Sequence, residues 1–393
     1  MADAERTYDL VLFGATGFTG GLTADYLAAN APATLRWALV GRNRSKLEAV
    51  AARLAAAKPA APVPGLVVAD AADAAALAEV AASTKVVVTT VGPYVLYGGP
   101  LVAACAAAGT DYVDLTGEPE FVDRMWIDNH AEAERTGARL VHCCGFDSIP
   151  HDLGAYFTVK QLPEGVPLKV DGYVRSNAEF SGGTYHSAIN AFARGRQTMA
   201  AAKERKRAEQ RPAGRAIHSA KFAVRRDAEL GGWVAPLPTI DGAIVRRSAA
   251  ALERYGPDFT YGHHLVGKHL ATLGALTGGV GAMAVLAPLP PTRKLLLKLK
   301  SPGEGPSGER RERSWFKVTF VGEGGGKRVV TEVSGGDPGY TETAKMLAES
   351  GLCLAFDELP ATAGQVTTAT AMGDALTERL QRAGIEFRVL DAG

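Results

Sequence analysis

Cysteine is scarce in this chain: Cys105, Cys143, Cys144 and Cys353 are the four in 393 residues. They are too few and too scattered for a disulfide framework, and no Cys-x-x-Cys or Cys/His spacing suggests zinc. No metal is therefore expected. The thiols read as buried groups of a reducing compartment, with Cys143 and Cys144 at the end of a strand, and nothing beside them in sequence marks a thiolate. An excess of one charge is missing too. Lys and Arg number 43 against 42 Asp and Glu, a formal charge of +1, so no global field draws the chain to nucleic acid. The opening Met-Ala-Asp-Ala-Glu-Arg lacks the basic-then-apolar layout of a secretory signal, which points to a cytoplasmic protein. No internal repeat is evident. The remainder is an ordinary globular composition, 47% hydrophobic and 22% charged, and the length suggests two domains.

What is there begins at residues 8–20. Leu10 to Phe13 reads as a buried strand, and a helical pattern starts near Gly17. Between them the glycines at 14, 17 and 20 give the spacing G-x-x-G-x-x-G. A strand, a glycine elbow and a helix N-terminus make a site for a pyrophosphate, because missing side chains let phosphates approach the backbone and the first helical N–H groups point at the anion. Gly14, Thr16, Gly17, Phe18, Thr19 and Gly20 are the candidate residues. The second strand, Leu35 to Val40, ends in Gly41-Arg42-Asn43-Arg44-Ser45-Lys46. A chain preferring NAD usually carries an acid there; Arg42, Arg44 and Lys46 instead suit a 2′-phosphate, so NADP(H) is the expected cofactor. Ser45 reads as a start for the next helix.

Gly65 to Ala69 is the third strand, ending at Asp70, a plausible adenine neighbour. A helix over about 73–82 and a β-branched fourth strand, Lys85 to Thr90, follow. Such a strand is expected when both sheet faces are covered. It opens into Val91-Gly92-Pro93-Tyr94, which should border the nicotinamide, outside the carboxyl ends of the strands. Tyr112 to Leu115, a helix over about 120–136 and Ala138 to His142 complete six strands by about residue 145. The fold expected for 1–150 is α/β, a doubly wound parallel sheet. Gly145-Phe146-Asp147-Ser148-Ile149-Pro150-His151-Asp152-Leu153-Gly154 begins a helix facing the same cleft. Asp147, Ser148 and His151 are candidates for substrate or proton contact, and equally for capping.

Residues 151–368 read as a second unit, carrying the substrate site and a dimer contact. Leu168 to Val174 alternates like a strand. Ser181-Gly182-Gly183-Thr184-Tyr185-His186 leads into a helix from about Ser187. Residues 194–226 hold eleven Lys or Arg against Glu204 and Glu209, a local cationic patch or a solvated helix face. Leu270 to Pro291 carries no charge and is long enough to span a bilayer, but its glycines and prolines make a poor free-standing helix. A flap over 265–300, touching lipid or covering an apolar substrate, is the preferred reading; a buried element is the next. Trp315–Val321 and Lys327–Val333 form a hairpin. A helix from Thr341 should stop at Gly351. A helix over 369–383 and a strand from Ile385 to Leu390 make a tail, 369–393, that packs back on the first unit.

Taken together, the elbow at 14–20, Val40-Gly41-Arg42-Asn43, Val91-Gly92-Pro93-Tyr94, Asp114-Leu115-Thr116-Gly117-Glu118, the 145–154 motif, Ser181–Thr184 and Ala369-Thr370-Ala371-Met372-Gly373-Asp374-Ala375-Leu376 resemble the saccharopine dehydrogenase-like oxidoreductases, most closely their trans-acting enoyl reductase branch. His151 stands where a small hydroxyl residue would be expected. The resemblance covers most of the chain. It implies an NADP-type Rossmann domain, a second domain built on a mixed sheet, and reduction of double bonds on acyl chains carried by polyketide synthases. It also implies association with membranes or lipid droplets, here at the inner face of the cell membrane. The expected reaction is NADPH-dependent reduction of a C=C bond in an apolar acyl substrate, with Tyr94, Tyr185, His186 and His151 as possible proton donors or carbonyl partners. Two other readings stand beside it: saccharopine-type C–N oxidoreduction, and a non-catalytic NADP-binding scaffold on membranes.

Overall fold

The computed structural model describes residues 6–178, 182–210, 212–221, 223–299 and 306–392, the side chains of 182–184, 272, 276 and 277 excepted. Six strands alternate with helices over the first part of the chain: β1 (Tyr8–Phe13), β2 (Trp37–Gly41), β3 (Gly65–Val68), β4 (Thr84–Thr89), β5 (Asp111–Asp114) and β6 (Arg139–Val141). Then come β7 (Leu168–Ser176), β8 (Ala216–Ser219), β9 (Arg225–Asp227), β10 (Gly232–Pro236) and β11 (Asp258–Gly267). The last strands are β12 (Phe316–Gly324), β13 (Lys327–Gly335), β14 (Gly364–Val366) and β15 (Glu386–Asp391). The first sheet is wholly parallel in the order β14-β6-β5-β4-β1-β2-β3. The order of its neighbours reverses between β1 and β4, and that break opens the ligand crevice of a doubly wound fold. The second sheet is mixed, β15-β13-β12-β7-β11-β10-β9, with β8 also on β11.

The period-2 alternation of buried strands divides the first core. Leu10, Leu12, Val86 and Val88 face one helical layer; Val11, Phe13 and Val87 face the other. The first of these clusters runs on without a break to Phe316, Val318 and Phe320 of the second sheet, so one core joins the two sheets.

The expected stop at Gly351 is corrected: the helix Thr341–Phe356 runs through it. A Cβ there would lie 2.6 Å from Val88 Cγ2 and 2.8 Å from Leu10 Cδ1. The glycine lets this helix lie directly on β1 and β4, which offsets its ~1 kcal/mol cost in a helix interior. The expected helix over 369–383 is split into Thr368–Ala371 and Gly373–Arg382. Unit boundaries at 150 and 368 do not follow the sheets. The helix 341–356 and β14 serve the first sheet, whereas β15, in the tail, pairs with β13 of the second.

Three readings of the second half can now be set against the structure. The hairpin Leu270–Leu286 and Pro290–Lys298 is mostly exposed, with Val285 at 69% and Leu295 at 64%, so the buried reading fails. Among the described residues no helix is long and apolar enough to cross a membrane. The basic stretch is in part consumed internally. Arg194 pairs bidentately with Glu120, Arg205 bonds Glu209 and Asp123, Arg215 donates to four carbonyls, and Arg225 donates to Tyr173 Oη.

Candidate functional site

The glycine elbow sits at the carboxyl end of β1. Gly14 has φ +92°, a left-handed conformation that suits glycine. A Cβ on Gly20 would lie 2.1 Å from Gly14 O, so the first turn of the helix Phe18–Asn30 is pressed against the elbow. Gly17 is the helix N-cap and offers no capping side chain. Gly21 N–H is the first of that turn to bond back, to Gly17 O. The N–H groups before it lack intrahelical acceptors, and Thr16 and Gly17 are exposed above them. Half-buried Phe18 packs edge-on against Tyr340, with the Arg311 guanidinium 5.5 Å from its ring centroid. Arg311 was not foreseen; it is remote in sequence and arrives through the second unit.

At the end of β2, Arg42 is exposed and makes no hydrogen bond or ion pair among the described residues. Arg44 instead pairs with Glu48 at 3.1 Å. The cap of this helix is Asn43, which accepts from Lys46 N–H, rather than Ser45. Asp70 is exposed, and its Oδ1 accepts from Ala72 N–H in a turn. These residues fit a dinucleotide: a cradle that a Cβ would fill, free helix amides for the pyrophosphate, and unpaired Arg42 and Lys46 where a 2′-phosphate belongs.

Val91, Gly92 and Pro93 follow β4 at the same edge, with a cis Gly92–Pro93 bond. Tyr94 lies below them, buried. Its hydroxyl donates to Thr89 O at 3.1 Å and accepts from Leu115 N–H at 3.2 Å. Burial, then Asp114, pushes it well above the usual phenol range. Tyr94 is thus a strut between two loops, and this corrects its expected role as a proton donor. Buried Glu118 accepts from the N–H groups of Tyr94 and Val95 and from Ser187 Oγ. It ties the 91–95 loop to the helix Gly182–Ala193. Tyr185 on that helix donates to Leu296 O at 3.2 Å, so its hydroxyl holds the apolar hairpin. His186 stands beside it, ring centroids 6.2 Å apart. Ser181 lies outside the described residues. The four expected proton donors are not brought to one point.

The 145–154 motif gathers a different set. After β6, His142 Nδ1 lies 2.7 Å from Asp114 Oδ2, and Asp114 also accepts from Tyr112 Oη and from the N–H groups of Thr116 and Cys143. Burial pushes all four thiols up in pKa, so none is a ready thiolate. Asp147 comes next. Its Oδ2 would meet a Cβ on Gly117 at 3.2 Å, and it has no hydrogen-bond partner among the described residues. Burial first, and the Asp241 charge second, raise it to about 7. Asp241 accepts from Ser148 Oγ at 2.8 Å and from Thr239 Oγ1. His151 is buried, and its Nδ1 has no hydrogen-bond partner among the described residues. Desolvation lowers it to about 4, so it is neutral at pH 7. His263 Nε2 lies 3.3 Å from Asp241 Oδ2. Sequence reasoning had no signal for Asp241 or His263, which lie about a hundred residues further along the chain, at the start of the helix Asp241–Ala251 and on β11. Beyond them a pocket of about 230 Å³ is lined in part by Lys221, Thr239, Gly242, Arg246 and His263.

Comparison with known proteins now decides the family. Residues 10–141 match the saccharopine dehydrogenase NADP-binding domain. A Mycobacterium tuberculosis protein given the name trans-acting enoyl reductase provisionally is 40% identical over 99% of both chains. The trans-acting enoyl reductase of Mycobacterium ulcerans is 37% identical over 98% of both. The chain belongs to the trans-acting enoyl reductase family of saccharopine dehydrogenase-like oxidoreductases. Among solved structures, saccharopine dehydrogenase (L-Glu forming) from Saccharomyces cerevisiae aligns over 98% of this chain and 100% of its own, with TM-score 0.56 at 13% identity. At that identity the likeness speaks for the fold alone. As a member of the trans-acting enoyl reductase family the chain carries an NADP(H)-binding domain over the residues that hold the elbow and Arg42.

Proposed function

We propose that this protein is an NADPH-dependent enoyl reductase for an apolar, carrier-bound acyl chain, and that Asp147 is its proton donor. The observation that carries the donor assignment is a carboxyl with no hydrogen-bond partner among the described residues, partly buried at the carboxyl edge of the parallel sheet beside Gly117, and protonated to pH about 7 because burial desolvates it. An acid with that proton affinity suits neutral pH. Bound NADPH supplies a hydride for the β-carbon of the double bond. The protein's own task is to hold the pyrophosphate on the amides after Gly17, hold the 2′-phosphate with Arg42 and Lys46, and deliver a proton from an Asp147 Oδ to the α-carbon. The Glu118 links to Tyr94 N–H, Val95 N–H and Ser187 Oγ hold the 91–95 loop in place beside that face.

The substrate class follows the name of the relatives together with the exposed apolar hairpin. Glu118 and Tyr185 connect that hairpin to the 91–95 loop, where Leu96 and Tyr97 are also exposed. An acyl chain leaving the nicotinamide edge would run along this route, and the outer face of 265–300 would meet lipid or a second copy of the chain. The test is NADPH oxidation by the purified protein with enoyl thioesters, against amino-acid and keto-acid pairs. Turnover of enoyl thioesters alone is expected. Turnover of only the second group would overturn the reading in favour of C–N oxidoreduction, and tight NADPH binding without any turnover would make the protein a scaffold.

A further inference from the structure

We propose that His151, Asp241 and His263 form a binding site for a divalent transition metal, with zinc the best match to the donor set. One nitrogen from each imidazole and one carboxylate oxygen all lie within 4.8 Å of one another, in the interior. Two neutral imidazoles and a carboxylate are ligands that zinc takes at about 2.0–2.2 Å. Donors on a tetrahedral ion of this kind stand about 3.4 Å apart, so the widest gap closes by about 1.4 Å, shared between small shifts of the two rings and the carboxylate. His263 Nε2 and Asp241 Oδ2 are already 3.3 Å apart.

Three further observations point to an ion rather than to a self-sufficient polar cluster. First, His151 Nδ1 is buried and has no hydrogen-bond partner among the described residues, and His263 Nε2 has only the Asp241 carboxylate beside it, at 3.3 Å. Buried ring nitrogens are rarely left so, because each costs the desolvation of a polar group. Secondly, the outer contacts of a metal site are in place. His263 Nδ1 lies 3.3 Å from Tyr261 Oη, a partner that can take the Nδ1 proton and leave the Nε2 lone pair for an ion beside Asp241. Ser148 and Thr239 hydroxyls donate to the carboxylate and fix its orientation. Such partners orient ligands and set their basicity. Thirdly, the site has an entry path. Thr239, Gly242 and His263 are shared with the pocket of about 230 Å³, so three protein ligands leave a coordination position open to it. The Cys/His spacing rules behind the expectation of no metal could not find this site, because its donors come from a helix start, a second helix start and a strand that are far apart in sequence.

The experiment uses the full chain after chelator treatment and titrates it with Co²⁺, then with Zn²⁺. The expected result is one equivalent of Co²⁺ with visible d–d bands, displaced by Zn²⁺. The proton spectrum of the Co²⁺-loaded wild type should show paramagnetically shifted ring signals from two histidines, a readout that needs no variant. Asp241→Asn and His263→Gln should each lower affinity by more than ~100-fold. Tyr261→Phe should lower it about tenfold, as loss of an outer hydrogen bond does. The exposed His218→Gln should leave it unchanged. The proposal is overturned if the treated wild type shows no saturable binding, if the shifted signals belong to fewer than two histidines, or if folded Asp241→Asn and His263→Gln proteins bind as tightly as wild type. None of these readouts requires NADPH turnover, so the metal site and the enoyl reductase reading stand or fall separately.

Discussion

Gly17 and Gly20 lie three residues apart in one motif, yet the structure gives them different work, and two substitutions separate the roles. Gly17 has φ −81° and ψ 168°, backbone that any residue adopts, and a Cβ there would meet only Gly14 O, at 3.4 Å. Gly17→Val should therefore fold. The loss of unfolded-state freedom favours it by ~0.4–1 kcal/mol, and the poorer N-cap costs about as much, so stability stays within about 1 kcal/mol of wild type. The new side chain, however, stands above the open helix amides. Hydrogen bonds to a charged group contribute about 1.5–3 kcal/mol each. Losing two of them weakens NADPH by ~3–6 kcal/mol, at least ~100-fold. At Gly20 a Cβ would fall 2.1 Å from Gly14 O and 2.8 Å from Gly14 C, both backbone atoms with nowhere to go. Gly20→Ala should cost ~1–3 kcal/mol or more in stability and carry affinity down with it. Nucleotide fluorescence titration gives affinity and urea unfolding gives stability. A Gly17→Val protein with wild-type NADPH affinity, or one as destabilised as Gly20→Ala, would refute the assignment of the elbow to the pyrophosphate.

Four other outcomes follow from the same geometry. Arg42→Asp should weaken NADPH by ~10–100-fold while leaving NADH nearly unchanged, and Arg44→Ala should do little because Arg44 is committed to Glu48; equal losses for both nucleotides in the Arg42 variant would remove the 2′-phosphate contact. Asp147→Asn should lower kcat by ~10²–10⁴-fold with NADPH affinity intact, and the wild-type rate should fall as pH rises above about 7, where Asp147 loses its proton; a full rate in the variant would dismiss it as donor. Asp152 is buried against Ser248, Thr368 and Ala369, and burial raises it from 3.8 to about 6. Its contribution to stability is thus complete below pH 4 and is lost as pH rises through 6, so the advantage of wild type over Asp152→Asn should shrink by about 3 kcal/mol between pH 4 and 7 in urea unfolding; an advantage that does not change with pH contradicts this. Paired Val285→Glu and Leu289→Glu changes on the exposed hairpin should reduce partitioning onto anionic vesicles, and unchanged partitioning would return that face to another partner.

The cofactor half was readable because its signals are local. The elbow, the cations after β2 and the β-branched β4 each declare themselves within a few residues, and the period-2 core of the parallel sheet follows from them. Errors fell where a local rule met a tertiary one. Gly351 looks like a helix stop until Leu10 and Val88 are known to lie beneath it. Tyr94 looks like a donor at the nicotinamide edge until Thr89 O and Leu115 N–H are found on its hydroxyl. The basic run 194–226 looks like one patch until Glu120, Asp123 and the carbonyls around Arg215 take up its arginines.

The catalytic half was illegible for a stricter reason. Asp147 and His151 are ordinary helix-capping residues by sequence. What makes them chemical is desolvation by a segment that the chain reaches almost a hundred residues later, when Thr239–Asp241 and β11 close over the 145–154 motif. Asp152, in the same turn, binds Thr368 and Ala369, so the start of the tail is fastened to the same helix. One short helix thus receives a contact from the parallel sheet, from the mixed sheet and from the tail. A group placed there is shielded whichever unit moves, and that shielding, rather than any residue type, raises the Asp147 carboxyl toward neutrality while His151, a few residues on, is kept uncharged. The proton affinities of Asp147 and His151 are therefore a property of the junction between the two sheets.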